Sequence, residues 1–187
     1  MVAAVARRER RKILGGGQQL EKEQTQAQEA QQRHQKLLAQ AVKLLARREH
    51  SRSELVQKLV KRGHANAEIA AVLDECEREG WLDDNRFAEI YVRQRKEARY
   101  GPVRILAELQ QRGIDSEPEI LAATAESEWR LSATRLRQKK FGLGRNLDWN
   151  ERGRQGRFLA QRGFSMGQID YALEQEDSGA GESPFFT

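Results

Sequence analysis

The chain has 187 residues, of which 38% are apolar, 33% are charged and 6% are aromatic. This supply of apolar residues is small for one compact globule, so we expect a helical assembly with a large surface. The formal charge of +5 favours polyanionic partners, nucleic acid above all. Because Cys76 is the single cysteine and no apolar run approaches the roughly 20 residues of a membrane span, we expect a soluble, cytoplasmic protein without an intrachain disulfide or a membrane segment.

The first 34 residues differ in composition from the rest of the chain. A basic cluster at residues 7–12 is followed by three glycines and then by a Gln-rich stretch with few apolar side chains. Such a segment buries too little apolar surface to offset the entropy of ordering it. We therefore predict a disordered or loosely helical extension over residues 1–34, and a second tail over residues 176–187.

Residues 35–175 have the apolar spacing of amphipathic helices. One apolar residue recurs every three or four positions, and no segment sustains the alternation of a half-buried strand. The predicted stripes are Leu38, Ala41, Val42 and Leu45; Ile69, Val72, Leu73 and Cys76; Phe87, Ile90 and Tyr91; Pro102, Ile105, Leu106 and Leu109; and Trp129, Ala133 and Leu136. The predicted fold class is all-α.

Polar residues mark the predicted helix starts. Ser51, Ser116 and Ser165 are each followed three residues later by Glu or Gln, which is the spacing of a capping box. Asp148 is predicted to cap a further helix through its carboxylate. The dipeptide Gly101-Pro102 places proline at the first helical position, where its missing N–H is not needed.

The sequence Leu-x-x-Arg-Gly occurs three times, at residues 59–63, 109–113 and 159–163, an interval of 50 residues. We predict that Gly63, Gly113 and Gly163 adopt the left-handed conformation that ends a helix, with the arginine near the negative end of the helix dipole. A period of this length holds about three ordinary helices with short turns. The sequence therefore predicts three tandem three-helix repeats, at residues 35–80, 81–128 and 129–175.

Residues that could carry catalysis or bind a metal are few and scattered. The three histidines lack the spacing of a helix-borne metal pair, and Cys76 falls on the apolar face of a predicted helix. Asp83 and Asp84 could suggest a metal ligand pair, but a helix that starts at either residue explains both carboxylates. We therefore predict a non-enzymatic protein with no metal and no cofactor.

Charge is distributed unevenly along the chain. Residues 65–90 hold eight acids and two bases, a local charge of −6, whereas residues 129–163 hold ten bases and two acids, a local charge of +8. A charge run is most often a solvated helix face, but bases interleaved with aromatic rings also suit nucleic-acid phosphates and stacked bases. We expect most of those rings in the core. The candidate contact residues are Arg93, Arg95, Lys96, Arg99, Tyr100, Arg104, Arg135, Arg137, Lys139, Lys140, Arg152, Arg154 and Arg157.

Several segments together resemble the RecX family of helical regulators of the RecA recombinase. They are EHSRSELVQKL (49–59), GWLDDNRFAEIYVRQR (80–95), YGPVRILAELQQRGI (100–114), KKFG (139–142) and ERGRQGRFLAQRGF (151–164). The resemblance covers residues 40–175 in order. It implies three three-helix repeats arranged as an elongated, curved stack, in agreement with the period found above.

The resemblance also implies a function in DNA repair, homologous recombination and the SOS response. A protein of this family is expected to bind RecA and its filament on single-stranded DNA, and to restrain filament extension, ATP hydrolysis and strand exchange without catalytic residues of its own. We expect a monomer. The alternative from charge alone is a helical-repeat protein that binds single- or double-stranded DNA directly through phosphate contacts.

The N-terminal extension departs from the family pattern. Its basic cluster comprises Arg7, Arg8, Arg10, Arg11 and Lys12. A lineage-specific arm that adds electrostatic affinity and an incorrectly assigned start codon both account for it, and the sequence does not choose between them.

Overall fold

The computed structural model describes residues 2–142 and 147–175, with the backbone alone over residues 2–20. Over these ranges the chain forms nine α-helices and no strand, which confirms the all-α prediction. The helices are α1 (Val2–Leu45), α2 (Arg52–Val60), α3 (Asn66–Arg78), α4 (Asp84–Glu97), α5 (Pro102–Gln110), α6 (Glu119–Ala122), α7 (Glu126–Phe141), α8 (Trp149–Gln161) and α9 (Met166–Glu174).

The helices follow one another as three trios, α1–α3, α4–α6 and α7–α9, in the order expected for three-helix repeats. By their contacts the residues group into two compact units. The first unit is built from the first trio, and the second unit contains the second and third trios. Residues Ser51–Ser53, at the start of α2, group with the second unit.

The core of the first unit is formed by one buried line on each of its three helices. On α1 the buried line runs through Leu37, Ala41 and Leu44, whereas Leu38 and Leu45, which were predicted to define the stripe, lie at its margin. Apolar residues at neighbouring positions offer two overlapping stripes, and packing selects one of them. The predicted stripe of α3 is buried in full.

The core of the second unit is continuous across the second and third trios. The predicted stripes of α5 and α7 contribute to it, and Trp129 is buried. The prediction for α4 is wrong at one position, because Ile90 is 37% exposed while Ala88 and Val92 point inward beside Phe87. Short apolar stripes therefore locate a helix more reliably than they locate its buried face.

All three predicted helix stops have the predicted conformation. The φ angles of Gly63, Gly113 and Gly163 are +88°, +79° and +85°. In each motif the glycine N–H donates to the carbonyl three residues earlier, and the next N–H donates to the leucine carbonyl at 3.1–3.3 Å. These two bonds define the Schellman motif, which satisfies the last carbonyls of the helix.

The third helix stop also joins the third trio to the second. The N–H of Gly101 donates to the carbonyl of Arg162 at 2.8 Å, and the N–H of Val103 donates to the carbonyl of Gly163 at 3.1 Å. A Cβ atom on Gly101 would lie 2.2 Å from the Gly163 oxygen, and one on Gly163 would lie 2.2 Å from the Cβ of Arg104. Both glycines are therefore required for two backbones to approach this closely.

The second helix stop has a corresponding contact inside the second unit. Ser51 precedes Gly101 by 50 residues, and its hydroxyl donates to the carbonyl of Arg112 at 2.8 Å. A Cβ atom on Gly113 would lie 2.9 Å from the Cβ of Ser53. The 50-residue period of the sequence thus also relates these two contacts, because Ser51 and Gly101 each donate to the carbonyl of the arginine in a helix stop.

The predicted helix starts have mixed outcomes. Ser165 forms the complete capping box of α9, and Asp83 and Asp148 cap α4 and α8 through their carboxylates. The box predicted at Ser116 is wrong, because α6 begins at Glu119 with Pro118 as its N-cap and no side-chain cap. Proline disfavours the helical region for the residue before it, so Glu117 does not belong to the helix and Ser116 cannot be its N-cap.

The predicted N-terminal extension is part of α1, whose helical backbone begins at Val2. The side chains of residues 21–33 are exposed throughout. The side chains of the basic cluster at 7–12 and the tail at 176–187 lie outside the described residues. In the described part of the chain, no helix combines the length and apolar character needed to cross a membrane.

Substituting alanine at two helix stops separates conformational strain from steric collision. At Gly63 a Cβ atom would meet nothing within 4 Å, so Gly63→Ala is expected to lower the free energy of unfolding by about 1 kcal/mol. At Gly163 the same strain is joined by the collision with Arg104, so we expect Gly163→Ala to cost about 3 kcal/mol. Denaturant unfolding followed by circular dichroism measures both losses, and equal losses would contradict the close backbone contact.

Candidate functional site

The candidate cations divide into those paired with carboxylates and those that are not. The pairs are Arg93–Glu89 (3.5 Å), Arg95–Glu108 (2.8 Å), Lys96–Glu128 (2.9 Å), Arg104–Glu108 (2.9 Å) and Arg154–Glu151 (2.7 Å). Among the described residues, no carboxylate forms an ion pair with Arg99, Arg135, Lys139, Lys140, Arg152 or Arg157. Pairing neutralises much of a cation's field, so the unpaired group carries most of the capacity to attract an anion.

Four arginines surround one carboxylate and two tyrosines in the second unit. This tyrosine–arginine cluster comprises Tyr91, Arg95, Tyr100, Arg104, Glu108, Arg112 and Arg162. The hydroxyl of Tyr91 donates to Glu108 at 2.6 Å. The guanidinium carbons of Arg95, Arg104 and Arg162 lie 4.6–5.1 Å from the ring centroid of Tyr100, within the range of cation–π attraction.

The carboxylate at the centre of this cluster remains ionised. Burial disfavours the charged form of Glu108, but hydrogen bonds from Tyr91 and Arg104 and the charge of Arg95 outweigh burial, so the pKa of the carboxyl lies below its ordinary value. Burial, together with the bond to Glu108, raises the pKa of Tyr91. The cluster thus holds four cations against one anion and ties the end of α8 to α4 and α5.

An open cleft of about 640 Å³ lies beside the cluster, at the ends of α4, α7 and α8. We call it the basic cleft, and its lining is Glu97, Ala98, Arg99, Leu136, Lys139, Lys140, Phe158 and Arg162. The ammonium of Lys140 lies 3.7 Å from the ring centroid of Phe158, and Arg162 donates to the carbonyl of Ala98 at 3.5 Å. Four cations therefore face one carboxylate, in a volume typical of ligand sites.

Arg99, on the wall of the basic cleft, has a strained backbone. Its φ angle of +58° is positive, which no other non-glycine residue shows in the described ranges. Its N–H donates to Lys96 at 2.9 Å and the next N–H donates to Arg95 at 3.0 Å, so Arg99 occupies the position that glycine occupies in the three helix stops. An arginine there costs about 1 kcal/mol relative to glycine.

Arg137 was predicted to contact a partner, and the structure corrects this because the side chain is 0% exposed. Its guanidinium donates to Gln155 at 2.7 Å and to the carbonyls of Ala172 and Gln175 at 2.7 and 2.6 Å. Burial, and then the charge of Arg152, lowers its pKa, although a guanidinium stays protonated. Arg137 therefore caps the end of α9 from inside the second unit and does not belong to the contact surface.

The register of α7 contains the signal that would have excluded Arg137 from the surface. Arg137 follows the buried Ala133 by four residues and so lies on the same face. Within a run of basic residues the residue type alone does not show which arginine is buried, because a buried and an exposed arginine have the same letter in the sequence. Arg135, two residues earlier, is exposed.

One basic residue and one aromatic residue that the sequence analysis did not select belong to the exposed surface of the second unit. Arg162, interpreted only as a cation at a helix end, contacts Tyr100 and lines the basic cleft. Trp149 is 86% exposed at the first turn of α8, although most rings of this region were expected in the core. That expectation holds for Trp129 and for the half-buried Phe158.

The residues considered for metal binding or nucleophilic chemistry lie apart from one another. His34 contacts a carboxylate, His64 contacts an amide and His50 contacts a backbone carbonyl. Cys76 is buried, and burial raises the pKa of its thiol, which disfavours the reactive thiolate. Across the part of the chain that the structure describes, no three His, Cys, Asp or Glu side chains come together as metal ligands.

Comparison with known proteins identifies the family. Models of the first, second and third three-helix domains of RecX match residues 38–76, 83–117 and 132–173 in chain order. The "Regulatory protein RecX" of Halorhodospira halophila is 41% identical over 146 residues, which cover 78% of this chain and 91% of that protein. The protein of the same name from Pseudomonas entomophila is 44% identical over 139 residues, 73% of this chain and 89% of that protein. The chain belongs to the RecX family.

Solved structures of RecX proteins share the fold. The crystal structure of RecX from Lactobacillus salivarius superposes with a TM-score of 0.63 at 20% identity, over 75% of this chain and 94% of that chain. A second solved structure, described as the crystal structure of regulatory protein RecX, gives a TM-score of 0.66 at 21% identity, over 76% of this chain and 73% of that chain. The RecX resemblance and the three-helix repeats predicted from the sequence are both confirmed.

Replacing Arg137 and its exposed neighbour separates a structural arginine from a surface one. Arg137→Met leaves three acceptors without their donor, so we expect the free energy of unfolding to fall by about 3 kcal/mol. Arg135→Met removes the same charge from the surface and should change it by less than about 0.5 kcal/mol. Chemical denaturation of both variants decides the matter, and a stable Arg137→Met variant would refute the capping role.

The tyrosine–arginine cluster predicts a pH dependence of stability. Because the pKa of Glu108 is lower in the folded chain than in the unfolded one, its contribution is present at neutral pH and is lost as pH falls through and below the ordinary carboxyl value of about 4.3. We expect Glu108→Gln to unfold about 1–3 kcal/mol more easily at neutral pH, with the difference shrinking under acid. Thermal unfolding across this pH range tests the sign, and a difference that grows under acid would contradict it.

Proposed function

We propose that this chain is a non-enzymatic regulator that binds the RecA recombinase and its nucleoprotein filament. It restrains filament extension, ATP hydrolysis and strand exchange in recombination and DNA repair. Membership of the RecX family supports this proposal, and the observation that carries it further is the set of unpaired cations in the second unit. The regulator acts as a cytoplasmic monomer and uses no cofactor.

Charge suggests how each unit engages the filament. The unpaired cations of the second unit face DNA phosphates or an acidic surface of the recombinase. The acidic helix α3 of the first unit faces basic loops of the recombinase. Complementary charge speeds encounter and sets orientation more than it sets affinity. A regulator seated in the filament groove bridges neighbouring subunits or blocks the end at which subunits add.

Direct binding to DNA is the second candidate function. The exposed ring of Trp149 favours it, because an accessible indole stacks on an unpaired base. The unpaired Arg152 lies one turn later on the same helix. In this function the chain covers single- or double-stranded DNA, and any effect on the recombinase follows from competition for phosphates.

The proposed function is tested by titrating the purified chain into a RecA ATPase assay on single-stranded DNA at several salt concentrations. Bare-DNA affinity is measured in parallel. We expect inhibition to persist at salt concentrations that abolish bare-DNA binding, because contacts with the recombinase do not depend on counterion release alone. Inhibition that disappears in step with bare-DNA affinity would favour the second candidate, and no inhibition at all would refute the first.

A matched pair of variants adds a residue-level test. Replacing Arg152 and Arg157 with alanine removes two unpaired charges and should weaken inhibition severalfold. Replacing Arg93 and Arg154 with alanine removes two charges that are already paired with glutamates, and should leave inhibition close to that of the parent chain. The same loss in both variants would show that only total charge matters.

A further inference from the structure

One helix of this chain, α4, ends at an arginine in a backbone conformation that favours glycine. Gly63, Gly80, Gly113 and Gly163 all end helices with positive φ. Arg99 ends α4 with the same hydrogen-bond pattern and a φ of +58°. Glycine would fit this position with less strain, so the arginine side chain supplies something that the backbone does not require.

The surroundings of Arg99 show what that side chain supplies. It lines the basic cleft with Lys139, Lys140 and Arg162, and Glu97 is the one carboxylate that the described residues contribute to the lining. Neighbouring arginines on α4 and α5 are instead neutralised by glutamates at 2.8–3.5 Å. The arginines of α4 and α5 that lie outside the cleft are thus neutralised, whereas Arg99 and the lysines that line the cleft are not.

Several of these cations are held in place before any ligand arrives. Arg162 contacts the ring of Tyr100 and, at 3.5 Å, the carbonyl of Ala98, and the ammonium of Lys140 lies 3.7 Å from the ring centroid of Phe158. The left-handed backbone of Arg99 sets the direction in which its side chain leaves the chain. Preorganised cations lose less conformational entropy when they bind an anion.

We propose that the basic cleft is a binding site for the phosphate backbone of a nucleic-acid strand, with Arg99, Lys139, Lys140 and Arg162 as its contacts. Four convergent cations exceed what a single carboxylate engages, whereas consecutive phosphates of a strand each present one charge. The cleft is open, which suits a polymer that passes through it. This inference deepens the proposed function and rests on it for the identity of the polymer.

A substitution series at Arg99 tests the site without the risk of unfolding it. Arg99→Gly removes the charge and the strain together, Arg99→Gln removes the charge and keeps the strain, and Arg99→Lys keeps both. We expect the first two variants to bind a fluorescein-labelled oligothymidylate about fivefold more weakly at 0.1 M salt. A factor of about five is what one phosphate contact contributes to single-strand affinity at that salt concentration. Arg99→Lys should bind like the parent, and only Arg99→Gly should melt at a higher temperature.

The lysines give a second measure, the slope of log affinity against log salt. Replacing both Lys139 and Lys140 with Gln should lower the slope by about 1.4, since each single-strand phosphate contact contributes about 0.7. The control is Arg93→Gln, which removes one exposed charge that is paired with Glu89 outside the cleft. Its slope should match that of the parent chain. A duplex of the same length shows whether the site accepts paired strands as well.

Three results would overturn the proposal. The first is an unchanged slope in the lysine variant, and the second is an Arg93→Gln variant that loses as much affinity as Arg99→Gln. The third is an Arg99→Gln variant that binds polyglutamate more weakly than the parent chain does but keeps the parent's affinity for the oligonucleotide. That result would assign the cleft to an acidic peptide. Oligonucleotide affinity is measured without recombinase, so absence of ATPase inhibition would refute the proposed function and leave the site standing.

Discussion

The backbone contact between Gly101 and Gly163 determines how the second and third trios pack. Carbonyls that a helix leaves unsatisfied at its end accept from N–H groups that another helix leaves unsatisfied at its start. This exchange needs two backbones at a distance that a single Cβ atom would prevent. The tyrosine–arginine cluster and the basic cleft both lie around this contact, so their geometry depends on it.

Neutralisation by carboxylates separates the cations of the proposed contact surface from the other bases of the second unit. In the sequence, α4, α5 and the third trio are all rich in Arg and Lys. The structure separates these cations into paired, buried and unpaired groups. Glu108 alone engages Arg95 and Arg104, while Arg137 is withdrawn into the core. Among the described residues, six of the twelve candidate cations remain unpaired and unburied, and three of them, Arg99, Lys139 and Lys140, line the basic cleft.

Features that depend on local chemistry could be predicted from the sequence. The helix stops follow from glycine's access to positive φ, and the caps at Asp148 and Ser165 follow from the reach of a side chain over one turn. Features that depend on which face is buried could not. The exposure of Ile90 and the burial of Arg137 are set by the neighbouring helices, and the cleft joins residues up to 65 positions apart, from Glu97 to Arg162.

The hydrogen bonds that complete the start of α5 have a consequence for the order in which the chain folds. The acceptor for Val103 is a carbonyl 60 residues further along the chain, so this helix lacks a native partner for one N–H until α8 has been synthesised and has ended at Gly163. Emerging from the ribosome, the second trio is therefore incomplete, and it reaches its final stability together with the third as one cooperative folding unit.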